Sequence, residues 1–264
     1  MVRCILVEIK KALLDKGVIL VVLGVFLINT INLWDEMQLH QTYESSSVLY
    51  YWVNRHGLGG ITMLMFLLCS IPYGLQFCLE KNNGSWKYFL IREHFRGYVF
   101  SKIVVTVLTS VIAFMVGYLL VFILLHSRYM LFPDNKVFFE QMVSGLPFES
   151  IALQRRYLFF FLNIIPEVMM IAFMSTISLL VGTWTENKYV VIAAPMVVYY
   201  AWNYLTGSLR LHDIFLWTLK IIEGFQYFEN DILNLIFTIA YYLTGITVIG
   251  CIFLKRCKGD IEDV

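Results

Sequence analysis

Six long runs of apolar side chains limit this chain to folds that can lie inside a lipid bilayer. The runs cover residues 18–34, 58–79, 100–125, 158–184, 189–205 and 232–254. A helix needs about 20 mostly apolar residues to cross the hydrocarbon core, and about 17–25 are tolerated. Because the runs are continuously apolar and do not alternate with polar positions, they favour helices over strands. The sequence predicts an all-α polytopic membrane protein with six transmembrane helices.

The composition agrees with a membrane protein. Hydrophobic residues make up 59% of the 264 residues and charged residues 15%, whereas about 25% of the residues in soluble domains are charged. The mean hydropathy is +0.71. No soluble stretch is long enough for a nucleotide-binding domain, so we expect residues 1–264 to form a single transmembrane domain. The net charge of +1 gives no reason to expect nucleic acid as a partner.

The basic residues between the runs indicate the orientation of the chain. If the N-terminus is inside, 13 of the 20 Lys and Arg residues lie in inside segments and seven in outside segments. Lys and Arg are enriched in cytoplasmic segments, so both termini are predicted to be cytoplasmic. The first run is too long for the apolar part of a signal peptide, and no small-residue cleavage site follows it. We therefore expect it to be retained as a span.

The N-terminal segment, residues 2–16, has the pattern of a short surface helix. Its apolar side chains recur at helical spacing on one face, its charged side chains lie away from that face, and Gly17 ends the pattern. This pattern predicts an amphipathic helix in the headgroup layer, just before the first span.

A second basic segment, residues 80–99, connects the second and third spans on the predicted cytoplasmic side. A turn at 82–85 ends in good helix-capping residues, and Trp86, Phe89 and Leu90 then share one helical face. These side chains could lie on lipid or dock into a groove of another protein. The residues alone do not decide between the two.

The same loop carries a motif that resembles a known family. The motif is E-x3-G-x5-L-x5-R-x-Y-x3-K, formed by Glu80, Gly84, Leu90, Arg96, Tyr98 and Lys102. Together with the N-terminal amphipathic (elbow) helix, the six spans and the inside termini, it resembles an ABC-2 type ABC transporter permease, of the kind that serves bacterial peptide-antibiotic export or immunity. The layout covers nearly the whole chain, whereas the motif covers only this loop.

The resemblance implies a set of partners. In ABC-2 permeases this loop is the coupling helix, which docks onto an ATPase subunit. The residues assigned to ATPase coupling on this basis are Glu80, Gly84, Trp86, Phe89, Leu90, Arg92 and Arg96. The sequence has no GxxxxGK[ST] phosphate loop. ATP and Mg would therefore bind to separate ABC ATPase subunits, expected in two copies, and we expect the chain to bind no cofactor directly.

Six spans are half of the usual pore, so a second permease, identical or homologous, is implied as well. The chain would be a pore-forming subunit and not an enzyme, surrounded by lipid in the bacterial plasma membrane. Its substrate would be amphipathic, with a peptide antibiotic or bacteriocin as the leading prediction and a lipid or hydrophobic drug as the alternative. An intramembrane enzyme, or a membrane sensor or scaffold, is the alternative from another class. Enzymes of that class need clustered polar groups, which the spans contain only sparsely.

Polar residues inside the spans are candidates for a translocation path. They are Asn29, Asn32, Asn163, Glu167 and Asn203. Asn163 and Glu167 share a helical face. Glu167 could line the path or take up a proton, or it could bond a neighbouring helix or reach toward headgroups. Because no cationic partner can be named in another span, the structural interpretation is favoured.

Cysteine and histidine give no sign of a metal or disulfide site. The five cysteines form no CxxC pair, and none lies in a predicted outside loop; we expect them to act as small apolar residues. Four of the five histidines lie in predicted outside loops, and no two have ligand spacing within one helical turn. We therefore expect no metal site.

Overall fold

The computed structural model describes residues 2–39, 46–55, 63–86, 95–209 and 228–262. Within these residues it contains α-helices and no strand longer than an isolated bridge between Ser47 and Met130. The helices are α1 (Val2–Leu13), α2 (Lys16–Leu39), α3 (Val48–Val53), α4 (Met65–Leu68), α5 (Gln76–Asn82), α6 (Phe95–His126), α7 (Lys136–Val143), α8 (Glu149–Gln154), α9 (Arg156–Leu162), α10 (Ile165–Val181), α11 (Lys188–Ser208) and α12 (Asp231–Glu262).

Among the described residues, four helical stretches are long and apolar enough to cross a membrane. They are Lys16–Gln38, Phe95–His126, Arg156–Val181 and Asp231–Gly259. They contain most of the first, third, fourth and sixth predicted spans, and confirm a helical membrane protein. The third of these stretches joins α9 to α10 through a turn at Asn163 and Ile164, just before Pro166. Pro lacks a backbone N–H, which explains the interruption.

The second predicted span, 58–79, is not a continuous helix where the structure describes it. From residue 69 to 75 the chain forms turns between α4 and α5. Pro72 lacks an N–H to continue the helix, and the Leu75 amide bonds to the Ser70 carbonyl at 3.1 Å. The Ser110 hydroxyl of α6 donates to the Cys69 carbonyl at 3.3 Å, which satisfies a backbone group that the break leaves open. We call residues 63–82 the broken segment.

The fifth predicted span, 189–205, is helical throughout, as α11, with Pro195 inside the helix. It is absent from the four stretches that qualify by length and composition. As membrane spans, the second and fifth runs therefore stay predictions.

The long helix α6 is the centre of the bundle, with α1, α2, α10 and α12 packed against it. A Cβ atom added to Gly117 of α6 would lie 2.7 Å from Cβ of Val25. That distance is shorter than carbon atoms tolerate, so glycine is what lets α2 approach α6 this closely.

The broken segment runs antiparallel to α6. Met65 contacts Tyr118, Cys69 contacts Ser110, and Glu80 contacts Lys102. The 16 residues between Lys102 and Tyr118 span about 24 Å of helix, most of a hydrocarbon core about 30 Å thick.

Both described ends of the chain lie at the same end of the bundle. Glu8 of α1 pairs with Lys102 near the start of α6. Phe253 near the end of α12 packs its ring against Phe77 of α5, with the centroids 5.1 Å apart. We call this the Lys102 end of the bundle.

The N-terminal helix is confirmed by α1, but its contacts differ from those of a helix lying only on lipid. Glu8 and Ala12 are buried on the side that faces the bundle, while Leu6, Val7 and Leu14 are exposed. Ile5 and Ile9 pack against a small core of Ala12, Tyr73 and Val105. One face of α1 is therefore a structural part of the bundle.

Candidate functional site

In the part of the chain that the structure describes, charged side chains form two buried clusters, one at each end of the broken segment. The first, the Lys102 cluster, consists of Glu8, Tyr73, Glu80, Tyr98 and Lys102. The Lys102 ammonium is fully buried. It lies 2.6 Å from a Glu80 carboxylate oxygen, 3.5 Å from a Glu8 oxygen and 2.8 Å from the Tyr73 hydroxyl.

Tyrosine hydroxyls donate hydrogen bonds to both carboxylates in the Lys102 cluster. Tyr98 donates to the second oxygen of Glu80 at 2.6 Å, and Tyr73 donates to Glu8. The ammonium also lies 5.0 and 5.3 Å from the ring centroids of Tyr73 and Tyr98, which adds cation–π attraction. A buried charge is tolerated when it is paired and hydrogen-bonded. Each charge of this cluster has both an ion-pair partner and a hydrogen bond.

Two carboxylates share one buried ammonium, which leaves the cluster with an excess negative charge. A second cation at the edge of the cluster offsets part of it. Lys11 of α1, which is half exposed, lies 3.9 Å from Glu80. The amide of Gln76 also donates to Glu80, at 3.2 Å. The Lys102 cluster thereby ties together three elements: α1, the broken segment and α6.

The second cluster, the Arg55 cluster, consists of Trp52, Arg55, Tyr118, Asn163 and Glu167. Arg55 follows α3 and is 2% exposed; Glu167 lies in the first turn of α10 and is 1% exposed. Their side chains form an ion pair at 2.9 Å. The guanidinium also donates to the side-chain oxygen of Asn163 at 2.6 Å.

Tyr118 and Trp52 enclose the ion pair. Tyr118 donates a hydrogen bond to the other oxygen of Glu167. Arg55 donates to the Trp52 carbonyl at 2.7 Å and lies over the rings of Trp52 and Tyr118, at 5.3 and 5.6 Å from their centroids. The planar guanidinium can pair, donate and stack at the same time, so this cluster joins α3, α6 and α10.

Small polar side chains hold the middle of the broken segment. Ser70 Oγ lies 2.6 Å from Ser178 Oγ of α10 and 3.3 Å from the Ile192 carbonyl oxygen of α11. A Cβ atom on Gly74 would lie 3.0 Å from Cβ of Ser178. Serine and glycine allow helices to pack closely inside a membrane, so the segment is fixed at its middle as well as at both ends.

The structure places the predicted coupling residues in different environments. Glu80 and Trp86 are buried, whereas Arg96 is exposed in the first turn of α6. Gly84 has a φ of 68° in the turn after α5, where a side chain would be strained. Phe89, Leu90 and Arg92 lie outside the described residues. The Glu80 carboxylate lies inside the Lys102 cluster, and the assignment of these residues to ATPase coupling stays a prediction.

The predicted path residues are not brought together as one set. Asn163 and Glu167 meet in the Arg55 cluster, as their shared helical face predicts. Asn29 is buried and donates to the Val25 carbonyl of its own helix at 2.8 Å. Asn32 and Asn203 are half-buried on α2 and α11.

The partner of Glu167 and two members of the Lys102 cluster, Glu8 and Tyr73, have no predicted role in the sequence analysis. Arg55 is one of the seven basic residues in the predicted outside segments, yet its side chain is buried in the bundle. Glu8 was assigned to no role, although it is an acid between apolar residues of a basic helix. Tyr98 and Lys102, in contrast, were already part of the family-like motif with Glu80, and the three side chains meet in space. Among the described residues, no group of three His, Cys, Asp or Glu side chains could hold a metal ion.

Comparison with known proteins identifies no relative. No family model, no curated protein and no solved structure matches the chain.

Proposed function

We propose that this chain is the transmembrane subunit of an ATP-driven exporter of the ABC-2 type, working with two separate ATPase subunits and a second permease. The observation that supports the proposal best is the broken segment. It leads directly into the basic loop that resembles a coupling helix, and it is bonded to other helices at both ends. Discontinuous helices buried within a bundle are a recurrent feature of transporters.

The contacts of the Lys102 cluster give this proposal a mechanism. Glu80 lies just before the loop and is paired with Lys102 of α6, which in turn contacts Glu8 of α1. A displacement of the loop by an ATPase would therefore move α1, α5 and the start of α6 together. The movement would reach the Arg55 cluster about 24 Å away along α6, where α3 and α10 are joined.

The substrate and setting follow from the same proposal. The protein would lie in a bacterial plasma membrane with six spans and both termini in the cytoplasm, and would move an amphipathic molecule, with a peptide antibiotic as the first candidate. It would have no ATP-hydrolysing site of its own. A lipid or hydrophobic drug is the alternative substrate.

The test is purification of the tagged chain from its native membranes in mild detergent, with identification of stoichiometric partners. We expect a co-purifying ATPase, and we expect its loss when Phe89 and Leu90 are both replaced by Glu. Membrane insertion of that variant should be unchanged. The matched control replaces Val137 and Phe138 of α7 with Glu, which should leave the ATPase bound. An ATPase-free wild-type protein would refute the proposal and favour a sensor or scaffold.

A further inference from the structure

An apolar groove opens on the surface of the bundle next to the Arg55 cluster. Its volume is about 330 Å³, and its lining includes Trp52, Leu119, Phe122, Tyr157, Phe160 and Phe161. This volume is at the small end of the range of about 300–1,000 Å³ that is typical of ligand pockets. It suits a single unbranched chain better than a bulky molecule.

The position of the groove along α6 matches one leaflet of a bilayer. Met115, which also lines the groove, lies 11 residues before His126 at the end of α6. Eleven residues span about 16 Å of helix, and half of a hydrocarbon core is about 15 Å thick. The part of α6 that lines the groove, from Met115 to Phe122, therefore lies within one half of the membrane.

The side chains around the opening show which molecules can reach the groove. Leu119, Ile123 and Phe161 are exposed on the bundle surface, in two of the four stretches that are apolar and long enough to cross a membrane. Exposed apolar side chains at this depth face lipid. The molecule available to fill the groove is thus an acyl chain.

A cation lies at the end of the groove where a headgroup would sit. The Arg156 guanidinium stacks on Phe139 at 4.2 Å and on Phe132 at 5.7 Å. The Phe132 ring contacts both Tyr157 and Phe160 of the groove, with centroid distances of 5.3 and 5.7 Å. Arg156 is therefore separated from the groove by one aromatic ring.

The charge of Arg156 is available to a ligand. It shares a surface pocket with Lys136, Glu140 and Glu149. Among the described residues, however, Arg156 forms no ion pair, and the Glu149 carboxylate accepts a hydrogen bond from the Gly145 amide at 2.8 Å. Guanidinium groups bind phosphate in a bidentate geometry.

From these observations we infer a phospholipid-binding site. One acyl chain lies in the groove between α6 and α9, and the phosphate is bound by Arg156. The site requires that the four apolar stretches lie in a membrane, and it does not require the proposed transport function.

Trp52 makes the site testable in a direct way. The indole lines the groove but is only 2% exposed, so surrounding lipid reaches it only if a chain enters the groove. The protein is reconstituted with phosphatidylcholine brominated at mid-chain, and the difference in fluorescence between wild type and Trp52→Phe gives the signal of Trp52. We expect the fluorescence of Trp52 to reach its full quenching at a low fraction of brominated lipid. Trp34, exposed on α2, should instead be quenched in proportion to that fraction. An unquenched Trp52 would overturn the inference, as would a dimer interface that covers the groove.

Retention of phospholipid by the delipidated protein, measured by native mass spectrometry, tests the two parts of the site. Leu119→Trp, which fills the groove, should weaken retention at least tenfold. Leu108→Trp, at an exposed position of α6 three turns away, should change it less than twofold. Arg156→Gln should weaken retention about fivefold, since one basic residue near a membrane surface contributes about 1 kcal/mol, whereas Arg128→Gln should have no effect. Equal effects of each variant and its control would show that the lipid binds without a specific site.

Discussion

The Arg55–Glu167 ion pair gives the strongest prediction about stability. At 2.9 Å, the two charges attract each other by about 6 kcal/mol if the effective dielectric constant is about 20. Replacing one partner of a buried ion pair leaves the other charge uncompensated and typically costs about 3–5 kcal/mol. We expect Glu167→Gln to lower the free energy of unfolding by this amount.

Replacing the arginine of the pair should lower the free energy of unfolding by less than replacing the glutamate. A carboxylic acid can take up a proton and become neutral, whereas arginine keeps its charge at any accessible pH. In Arg55→Met, Glu167 can therefore lose its charge while its bond with Tyr118 is retained. We expect this variant to be destabilised by about 2–3 kcal/mol, clearly less than Glu167→Gln.

The assay is reversible unfolding in mixed micelles, followed by near-ultraviolet circular dichroism. A double-mutant cycle with Arg55→Met and Glu167→Gln isolates the coupling of the pair, expected to be about 1–3 kcal/mol. Glu140→Gln, an exposed position on α7, is the matched control and should change stability by less than about 0.5 kcal/mol. If Glu167→Gln stays within 1 kcal/mol of wild type, the pair does not hold α3 against α10, and the reasoning fails.

Two further variants test the packing described above. Lys102→Met leaves Glu8 and Glu80 without their buried cation and should lower the free energy of unfolding by about 3–5 kcal/mol. The control Lys136→Met, at an exposed position, should have almost no effect. Similar values for the two variants would contradict the Lys102 cluster. Gly117→Ala places a Cβ atom 2.7 Å from Val25 and should destabilise by about 1–3 kcal/mol. In Gly97→Ala, the added Cβ atom meets nothing within 4 Å, so this variant should be neutral or stabilised by up to about 1 kcal/mol. If Gly117→Ala melted at a higher temperature than Gly97→Ala, α2 and α6 would not pack as closely as described.

The sequence predicts the helical class well because apolar length is a direct physical requirement of the bilayer. Four of the six predicted runs occur in helical stretches that meet this requirement. The break in the broken segment could not be predicted with the same certainty, because the turns at 69–75 depend on hydrogen bonds with Ser110, Ser178 and the Ile192 carbonyl of α11. Pro72 and Gly74 are local signals, but Pro195 is tolerated inside α11, so proline alone does not determine where a helix ends.

The charged clusters, like the helices, could be predicted only in part from the sequence. The spacing of Asn163 and Glu167 predicts that they lie close together, and both side chains contact Arg55, although Asn163 lies in the turn before α10. Their partner Arg55 is more than 100 residues away in sequence and precedes a run of apolar residues, where basic residues usually indicate an exposed loop. Tertiary contacts of α3, among them its packing against α6, bring Arg55 to Glu167. Glu80, Tyr98 and Lys102 were found through their motif, but their meeting inside the bundle is a tertiary contact.

The intact mass of the complex extracted from native membranes tests the central claim most directly. The proposal predicts two permease chains, identical or homologous, bound to two copies of an ATPase, in a complex that loses the ATPase when Phe89 and Leu90 are replaced by Glu. A particle that contains this chain without any nucleotide-hydrolysing subunit, in lipid conditions that preserve other membrane complexes, would contradict it.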